Sequence, residues 1–385
     1  MESSSSRRPP LQEKCILVVG MNPAHQRTLI FERDGLKLGR VNRAQRVITT
    51  FGGKGQHAAK AISQLHPGAC ILLQLLGGQS GKDICAALSQ LPLHQWTFWY
   101  SDAEAATRTC TTLIQLPDPS SPDTSRHKTV MTELIDPSPE LTAAEYDTIR
   151  NPVLDALSSG AVREGLRGVA LCGTFPPGIP SALYEGIVQA VAANDAAAGG
   201  GTETVIVLDA WKGVLPCLSR QVVHTLKINE EELWDLCGAA LPDHLTIKTT
   251  SQAAALLIDK CKLHAVAVTA GGKSAALYVS QREGGEGSAS SVRLREFDFT
   301  LPDIEDRLKN PIGAGDTCTG VYLAELLTHP FTRLGEIDPQ WIVDAFRKGL
   351  AAASASCLQW TGASFEREDV DALMAQIAVK ETAHD

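Results

Sequence analysis

The 385-residue sequence has little of several things, and each shortage excludes a class of protein. Lys and Arg number 35 against 44 Asp and Glu, a formal charge of −9. Non-specific nucleic-acid binding draws on a basic surplus, so no nucleic-acid partner is expected. No apolar run approaches the ~20 residues needed to span a bilayer, so no membrane partner is expected. The opening MESSSSRRPP has no apolar segment, so residues 1–14 read as a disordered tail rather than a secretory leader. No two of the 10 cysteines stand as CxxC, and no His/Cys cluster has structural-zinc spacing. There is no Asn-x-Ser/Thr sequon. Free thiols in a reducing compartment are the expected state, and the cytoplasm the expected location. Hydrophobic residues at 44% and charged residues at 21% leave room for a sizeable core and rule out a mainly disordered chain or a coiled coil.

What is present alternates. CILVVG (15–20), ACILLQLLGG (69–78), GVALCGTF (168–175), TVIVLDA (204–210) and AVAVTA (265–270) are short and continuously apolar. Strands buried on both faces look like this. Helical periodicity fills the stretches Lys54–Leu65, Thr142–Leu157, Ser181–Ala193, Ser251–Cys261 and Asp316–Leu327. The alternation predicts an α/β fold with a mainly parallel sheet. A second pattern interrupts it. Arg27–Phe31, Arg40–Thr49, Gln95–Tyr100, Arg108–Leu116 and Lys128–Leu134 alternate polar and apolar residues, as half-exposed strands do. They predict a small sheet over the core, which is the form of a lid. Turn-rich stretches at 118–127, 194–203 and 281–291 read as loops, the last as a hairpin loop.

Chemistry concentrates at Asn310-Pro-Ile-Gly-Ala-Gly-Asp-Thr317, ahead of an apolar helical run. A Gly-Ala-Gly turn at a helix start leaves backbone N–H groups unpaired and pointing one way, an anion site reinforced by the helix dipole. Asp316 beside it could take a proton from a hydroxyl attacking a phosphoryl group held there. Taken alone, Asp316 could equally be a first-turn acid. Gly271-Gly-Lys-Ser274 is no P-loop, because Ala267 stands where its first glycine belongs. Cys318 breaks a GxGxxG at Gly313, which argues against a dinucleotide-binding fold.

Other motifs fall at the ends of predicted strands, where open α/β sheets place ligands. They are Phe51-Gly-Gly-Lys-Gly55, Leu171-Cys-Gly-Thr-Phe-Pro-Pro-Gly-Ile-Pro180, Lys227-Ile-Asn-Glu-Glu-Glu-Leu233 and Val268-Thr-Ala-Gly-Gly272, with Thr107-Arg108 opening a lid strand. A longer pattern runs Asn22-Pro-Ala, Gly39-Arg-Val-Asn-Arg43, Gly52-Gly-Lys-Gly55, Thr132-Glu133, Gly173-Thr-Phe-Pro-Pro-Gly178, Lys227-x-Asn-x-x-Glu-Leu233 and Gly313–Asp316. In this order the sequence resembles the PfkB/ribokinase family of carbohydrate kinases, closest to its 1-phosphofructokinase and tagatose-6-phosphate kinase branch. The likeness runs from about residue 15 to 378. It implies a ribokinase-like three-layer αβα domain over 15–380, with a mainly parallel central sheet. The lid strands would come from about 27–50, 95–116 and 128–134.

The resemblance implies a phosphotransferase that uses ATP and Mg2+, with a monovalent cation as a further candidate. Asp316 would be the base and residues Gly313, Ala314 and Gly315 the anion hole. Lys227, Asn229, Thr269 and Gly271 would serve the nucleotide, with 348–356 flanking the adenine. Asn229 and Glu232 would position the metal ion, mostly through water. Gln26, Gly53, Lys54, His57, Arg108 and Glu133 would meet the sugar or sugar phosphate, Arg108 at a phosphate. A homodimer is an assembly that a lid edge would allow. Asp209, in VLDAWKG, reads as structural.

The sugar side departs from the family pattern. Gln26 stands for an Asp, His57 for an Asn, and Cys110 for another Asn. Charge-assisted hydrogen bonds to sugar hydroxyls, worth ~1.5–3 kcal/mol each, lose their usual acceptor at Gln26. The expected activity is phosphorylation of a hydroxyl on a sugar or sugar phosphate, a phosphohexose above others. A kinase for a neutral sugar or nucleoside, and a non-catalytic binding protein on a kinase scaffold, stand as alternatives.

Overall fold

A computed structural model describes residues 15–31, 36–117, 120, 128–159, 165–197, 202–240, 247–283 and 291–382. The tail 1–14, most of 118–127 and 281–291, and the middle of 194–203 lie outside these residues.

In chain order the strands are β1 (Cys15–Val19), β2 (Ala24–Phe31), β3 (Arg46–Gly52), β4 (Cys70–Leu76), β5 (His94–Trp99), β6 (Thr109–Gln115) and β7 (Val130–Ile135). Then come β8 (Leu166–Cys172), β9 (Val205–Asp209), β10 (Thr225–Asn229), β11 (Ala265–Ala270), β12 (Ser274–Glu283), β13 (Ser291–Thr300) and β14 (Ala378–Thr382). The helices are α1 (Lys54–Leu65), α2 (Gly78–Leu88), α3 (Ala143–Leu157), α4 (Ala182–Ala197) and α5 (Leu215–Leu218). They continue as α6 (Glu230–Ala240), α7 (Thr250–Cys261), α8 (Ala314–Leu326), α9 (Pro339–Cys357) and α10 (Arg367–Met374).

The central sheet runs β14-β13-β12-β11-β10-β9-β8-β1-β4-β5. From β11 to β5 every pairing is parallel. The β12, β13 and β14 edge is antiparallel. This is the expected α/β fold. Strand β1 shows why it forms: Ile16 and Val18 face one hydrophobic layer, while Cys15, Leu17 and Val19 face the other. The first layer is closed by α1, α2, α8, α9 and α10, the second by α3 to α7. Each fully buried aliphatic side chain contributes about 1.5–3 kcal/mol, which is what a continuously apolar strand gains between two helix layers. Helix starts follow local chemistry. Thr142 caps α3 reciprocally with Glu145, its backbone N–H donating to Glu145 Oε2 at 2.9 Å.

The second sheet runs β3-β2-β6-β7. Its centre is a parallel β2–β6 pair built from segments about 80 residues apart, with His25 opposite Thr109. Alternation marks β2, β6 and β7, but only the end of Arg40–Thr49 is strand, since β3 begins at Arg46. Gln95–Tyr100 was expected in the lid, but β5 pairs in parallel with β4 as the outer strand of the central sheet. An edge strand covered on one face alternates just as a lid strand does. Among the described residues, no helix is long and apolar enough to cross a membrane. All ten cysteines are free, nine of them buried.

Candidate active site

The site lies at the C-terminal ends of the parallel strands, under the small sheet. Its centre is the start of α8. Asn310 shapes the approach: its Oδ1 accepts from the Ile312 N–H at 3.0 Å, and its Nδ2 donates to the Trp360 carbonyl at 3.0 Å. Gly313 then takes φ +80° as N-cap, a left-handed conformation open to glycine at little cost. The Ala314 N–H turns back to the Pro311 carbonyl at 3.3 Å. Among the described residues no backbone carbonyl accepts from the N–H groups of Gly313, Gly315 or Asp316, so these donors are left for an anion, and Ala314 is already engaged.

Asp316 follows in the first turn, its side chain 13% exposed. Its Oδ2 lies 3.0 Å from His57 Nδ1. His57 was expected to face the sugar. Instead it is buried, with its ring against the helix start.

Beneath the turn is a charge cluster centred on Asp209, at the end of β9 and 1% exposed. Its Oδ1 takes Lys54 Nζ at 2.8 Å and its Oδ2 takes Lys227 Nζ at 3.1 Å. Thr319 Oγ also donates to Oδ2. Burial alone would raise the Asp209 carboxyl, but the two ammonium groups hold it well below the usual carboxylate range. Burial likewise opposes the charge on Lys54. The carboxylates of Asp209, Asp316 and Glu232 outweigh it and raise its pKa. The Lys227 ammonium, from β10, would stand 3.2 Å from a Cβ on Gly315. It therefore sits directly below the anion turn rather than in the nucleotide cavity. The sequence signal for Asp209 was available: a carboxylate at the C-terminal end of a parallel strand points toward the ligand edge.

Glu232 Oε1 lies 3.6 Å from Lys54 Nζ. Its Oε2 accepts from the Asn229 N–H at 3.2 Å, and Asn229 Oδ1 accepts from the Glu232 N–H at 2.8 Å. The pair thus caps α6 as well as facing the site. Beside it a cavity of about 630 Å3 is lined by Asn229, Thr269, Gly271, Gly315, Leu350 and Ser354. That brings the expected nucleotide residues together, Lys227 excepted.

The sugar-side residues are more scattered. Gln26 is buried, and its Nε2 donates to Thr112 Oγ1 at 2.6 Å within the small sheet. Cys110, directly opposite Gln26 in the sheet, is also buried. The Arg108 guanidinium donates to the carbonyls of Asn22, at 3.1 Å, and Pro23, at 3.3 Å. Asn22 is held in turn by Thr174, from the Gly173–Gly178 motif, and by Ser138, which the sequence did not single out. Gly53 is the N-cap of α1, at φ 114°. Glu133 is exposed on β7, yet partial desolvation and the Asp316 carboxylate push its carboxyl up.

The sequence pattern of pfkB family carbohydrate kinases matches residues 166–367, just over half of the chain. That span holds Asp209, Lys227, Asn229, Glu232 and Gly313–Asp316. The chain belongs to the pfkB family of carbohydrate kinases.

Solved structures agree on the fold. Phosphofructokinase-2 from Escherichia coli, with substrates and products, superposes with a TM-score of 0.66 at 18% identity, over 94% of this chain and 99% of that one. A possible 1-phosphofructokinase from Thermotoga maritima gives 0.66 at 17%, over 96% and 100%. Ribokinase from Giardia lamblia gives 0.61 at 15%, over 93% and 99%.

Membership of a kinase family implies ATP and Mg2+. The kinase offers oxygen donors for that ion in Glu232 and Asn229. Among the described residues no three His, Cys, Asp or Glu gather as a metal cage. Such a set suits an ion that keeps most of its waters and leans on nucleotide phosphates.

Proposed function

We propose that this kinase transfers the γ-phosphoryl group of ATP to a hydroxyl of a sugar phosphate, with a phosphohexose as the acceptor class and Asp316 as the base. One observation carries the reading. The Asp316 carboxylate stands in the first turn of a helix whose Gly313 and Gly315 N–H groups lack partners among the described residues, above the Lys54–Asp209–Lys227 cluster.

In this reading the acceptor hydroxyl gives its proton to the Asp316 oxygen that His57 leaves free. The hydroxyl oxygen bonds to the γ-phosphorus as the bond from that phosphorus to the bridging oxygen breaks, and ADP leaves with the electron pair. The Gly313 and Gly315 N–H groups face the charge on the transferred group, and Lys227 adds a fixed positive charge beneath them. Glu232 and Asn229 would hold Mg2+ through water, and the ion would neutralise phosphate charge. The small sheet would close over the acceptor and keep water from competing for the phosphoryl group. Lys54 and Arg108 supply the positive charge that favours a phosphorylated acceptor.

The test is Mg·ATP-dependent phosphorylation of fructose 1-phosphate, fructose 6-phosphate, tagatose 6-phosphate, free hexoses, ribose and nucleosides, read by mass spectrometry. A phosphorylated phosphohexose that vanishes with Asp316→Asn supports the reading, and its absence across the panel removes it. A second reading, a neutral acceptor, is favoured by the Arg108 guanidinium being engaged with two backbone carbonyls. It predicts product from ribose, hexose or nucleoside and none from the phosphosugars. Structures of the E. coli enzyme with potassium and as an inhibited tetramer are among the similar ones. Potassium dependence and self-association of this kinase are proposals that assays in potassium-free buffer and sedimentation decide.

A further inference from the structure

We infer that His57 is a positioning residue for Asp316: its Nδ1–H holds one carboxylate oxygen so that the other faces the acceptor hydroxyl. The inference rests on the reading of Asp316 as the base and assigns His57 a role away from the sugar.

The geometry leaves His57 little else to do. It lies one turn into α1, and its own N–H makes the first helical bond, to the Gly53 carbonyl at 3.0 Å. The side chain is 3% exposed, so it offers no surface to a substrate. The ring fills a slot between two glycines. A Cβ on Gly313 would stand 2.6 Å from Nδ1, and one on Gly362 would stand 2.9 Å from both Nε2 and the Ile312 carbonyl oxygen. Real Cβ atoms do not approach so closely, so both positions must be glycine for the ring to fit. With the ring fixed, Nδ1 points at Asp316 Oδ2 at 3.0 Å. An ionised carboxylate only accepts, so the proton in this bond belongs to Nδ1. One oxygen is thereby occupied, and Oδ1 remains for the acceptor.

The slot itself is anchored. Lys60, one turn further along α1, donates to the Gly362 carbonyl at 2.8 Å. Gln64 donates to the Ala363 carbonyl at 2.7 Å. Asn310 donates to the Trp360 carbonyl at 3.0 Å. Helix α1, the anion turn and the 359–363 loop thus grip one imidazole, and the imidazole grips the base. An Asn amide nitrogen sits the same number of bonds from Cβ as Nδ1, so it can donate to the same oxygen. A leucine of similar bulk cannot.

The experiment compares His57→Leu, His57→Asn and Gly362→Ala with the unaltered enzyme. Acceptors are fructose 6-phosphate, fructose 1-phosphate, tagatose 6-phosphate and, as basal reaction, water. Melting curves confirm that each variant folds. A misplaced catalytic group costs on the order of 10- to 100-fold in rate. His57→Leu and Gly362→Ala are expected to lose kcat by roughly that factor, with KM for acceptor and ATP changed by less than about threefold. His57→Asn is expected to recover most of the loss. In an Asp316→Asn background, His57→Leu is expected to add nothing, because the two residues act as a unit. A raised KM with kcat kept, equal losses for Leu and Asn, or additive losses would overturn the inference.

A second measurement does not need turnover. With 15N-histidine labelling, the His57 ring is expected as the Nδ1–H tautomer, and its signal is expected to move with Asp316→Ala. An Nε2–H tautomer, or a signal that ignores Asp316→Ala, overturns the inference even if phosphoryl transfer is found. Loss of all transfer to every acceptor and to water removes the base reading, while the nitrogen spectrum still decides the bond.

Discussion

The residues rising from the central sheet and those hanging from the small sheet are held in opposite ways. Asp209, Lys54 and Lys227 come from β9, α1 and β10, are locked by direct ion pairs, and sit among packed strands. Glu133 hangs from β7, a strand exposed at every position. Among the described residues the Arg108 guanidinium hydrogen-bonds to backbone carbonyls, not to a carboxylate. Gln26 has turned inward to Thr112. The lower half is preorganised for charge. The upper half has few fixed polar groups until something binds. Phosphoryl transfer needs the first property, because rigid donors stabilise developing charge without reorganising. Acceptor choice is left to the second.

Four measurements can break or sharpen this contrast. The largest effect is expected from Asp316→Asn, a loss of kcat of about 10^3-fold, within the range for removing a general base. ATP affinity, read by titration calorimetry, is expected to change little.

Next is Asp209→Ala, which leaves the buried Lys227 and the partly buried Lys54 ammonium groups without their shared counter-charge. A destabilisation of about 3 kcal/mol is expected in urea unfolding, at the lower end for a broken buried pair because Glu232 stays near Lys54. The sign with pH follows from the depressed Asp209 carboxyl. Its contribution is present above the ordinary carboxylate range and fades as pH falls through the depressed one, so the gap between enzyme and variant narrows in strong acid. An undiminished gap there would assign the loss to packing.

Arg108→Ala probes the upper half. If the acceptor carries a phosphate, KM for it is expected to rise roughly tenfold with kcat little changed, as for one lost charge-assisted contact. Unchanged kinetics on a phosphosugar would leave Arg108 a structural tie.

The smallest effect concerns Lys60, which packs against Phe51 and whose amine is lowered to about 8 by burial. Lys60→Met removes a disfavoured charge but also the bond to the Gly362 carbonyl, so a net gain of only about 1 kcal/mol is expected at pH 7. The folded pKa lies below the unfolded one. The charge therefore costs stability in full below pH 8, and the cost shrinks as pH rises toward the usual lysine range. The advantage of the variant is expected to fade over that interval in pH-dependent melting.

The fold was readable where a pattern is local and redundant. Strand β11 was legible at its exact bounds, and α1 likewise, because continuous apolarity and a 3.6-residue period each have one good explanation. Strand β5 misled because alternation reports a half-covered face without naming the sheet. Asp209 reads as structural in the sequence, but its partners were hidden: one carboxylate in an apolar strand looks the same whether it braces a loop or gathers two lysines. His57 stands out in the sequence as a titratable residue beside the Gly52–Gly55 motif. The sequence could not say which way its ring turned.

What the sequence determined by itself was the class of machine: a layered α/β chain of a kinase family, with a glycine turn and an acid at one helix start. These follow from neighbours along the chain, through turn geometry and periodic burial. What only the tertiary structure decided was company. Lys54 meets Asp209 across 155 positions, and His57 meets Asp316 across 259. Such meetings are set by how α1 and α8 pack on the sheet ends, where ångström-scale distances depend on every layer beneath, and no local pattern carries that information.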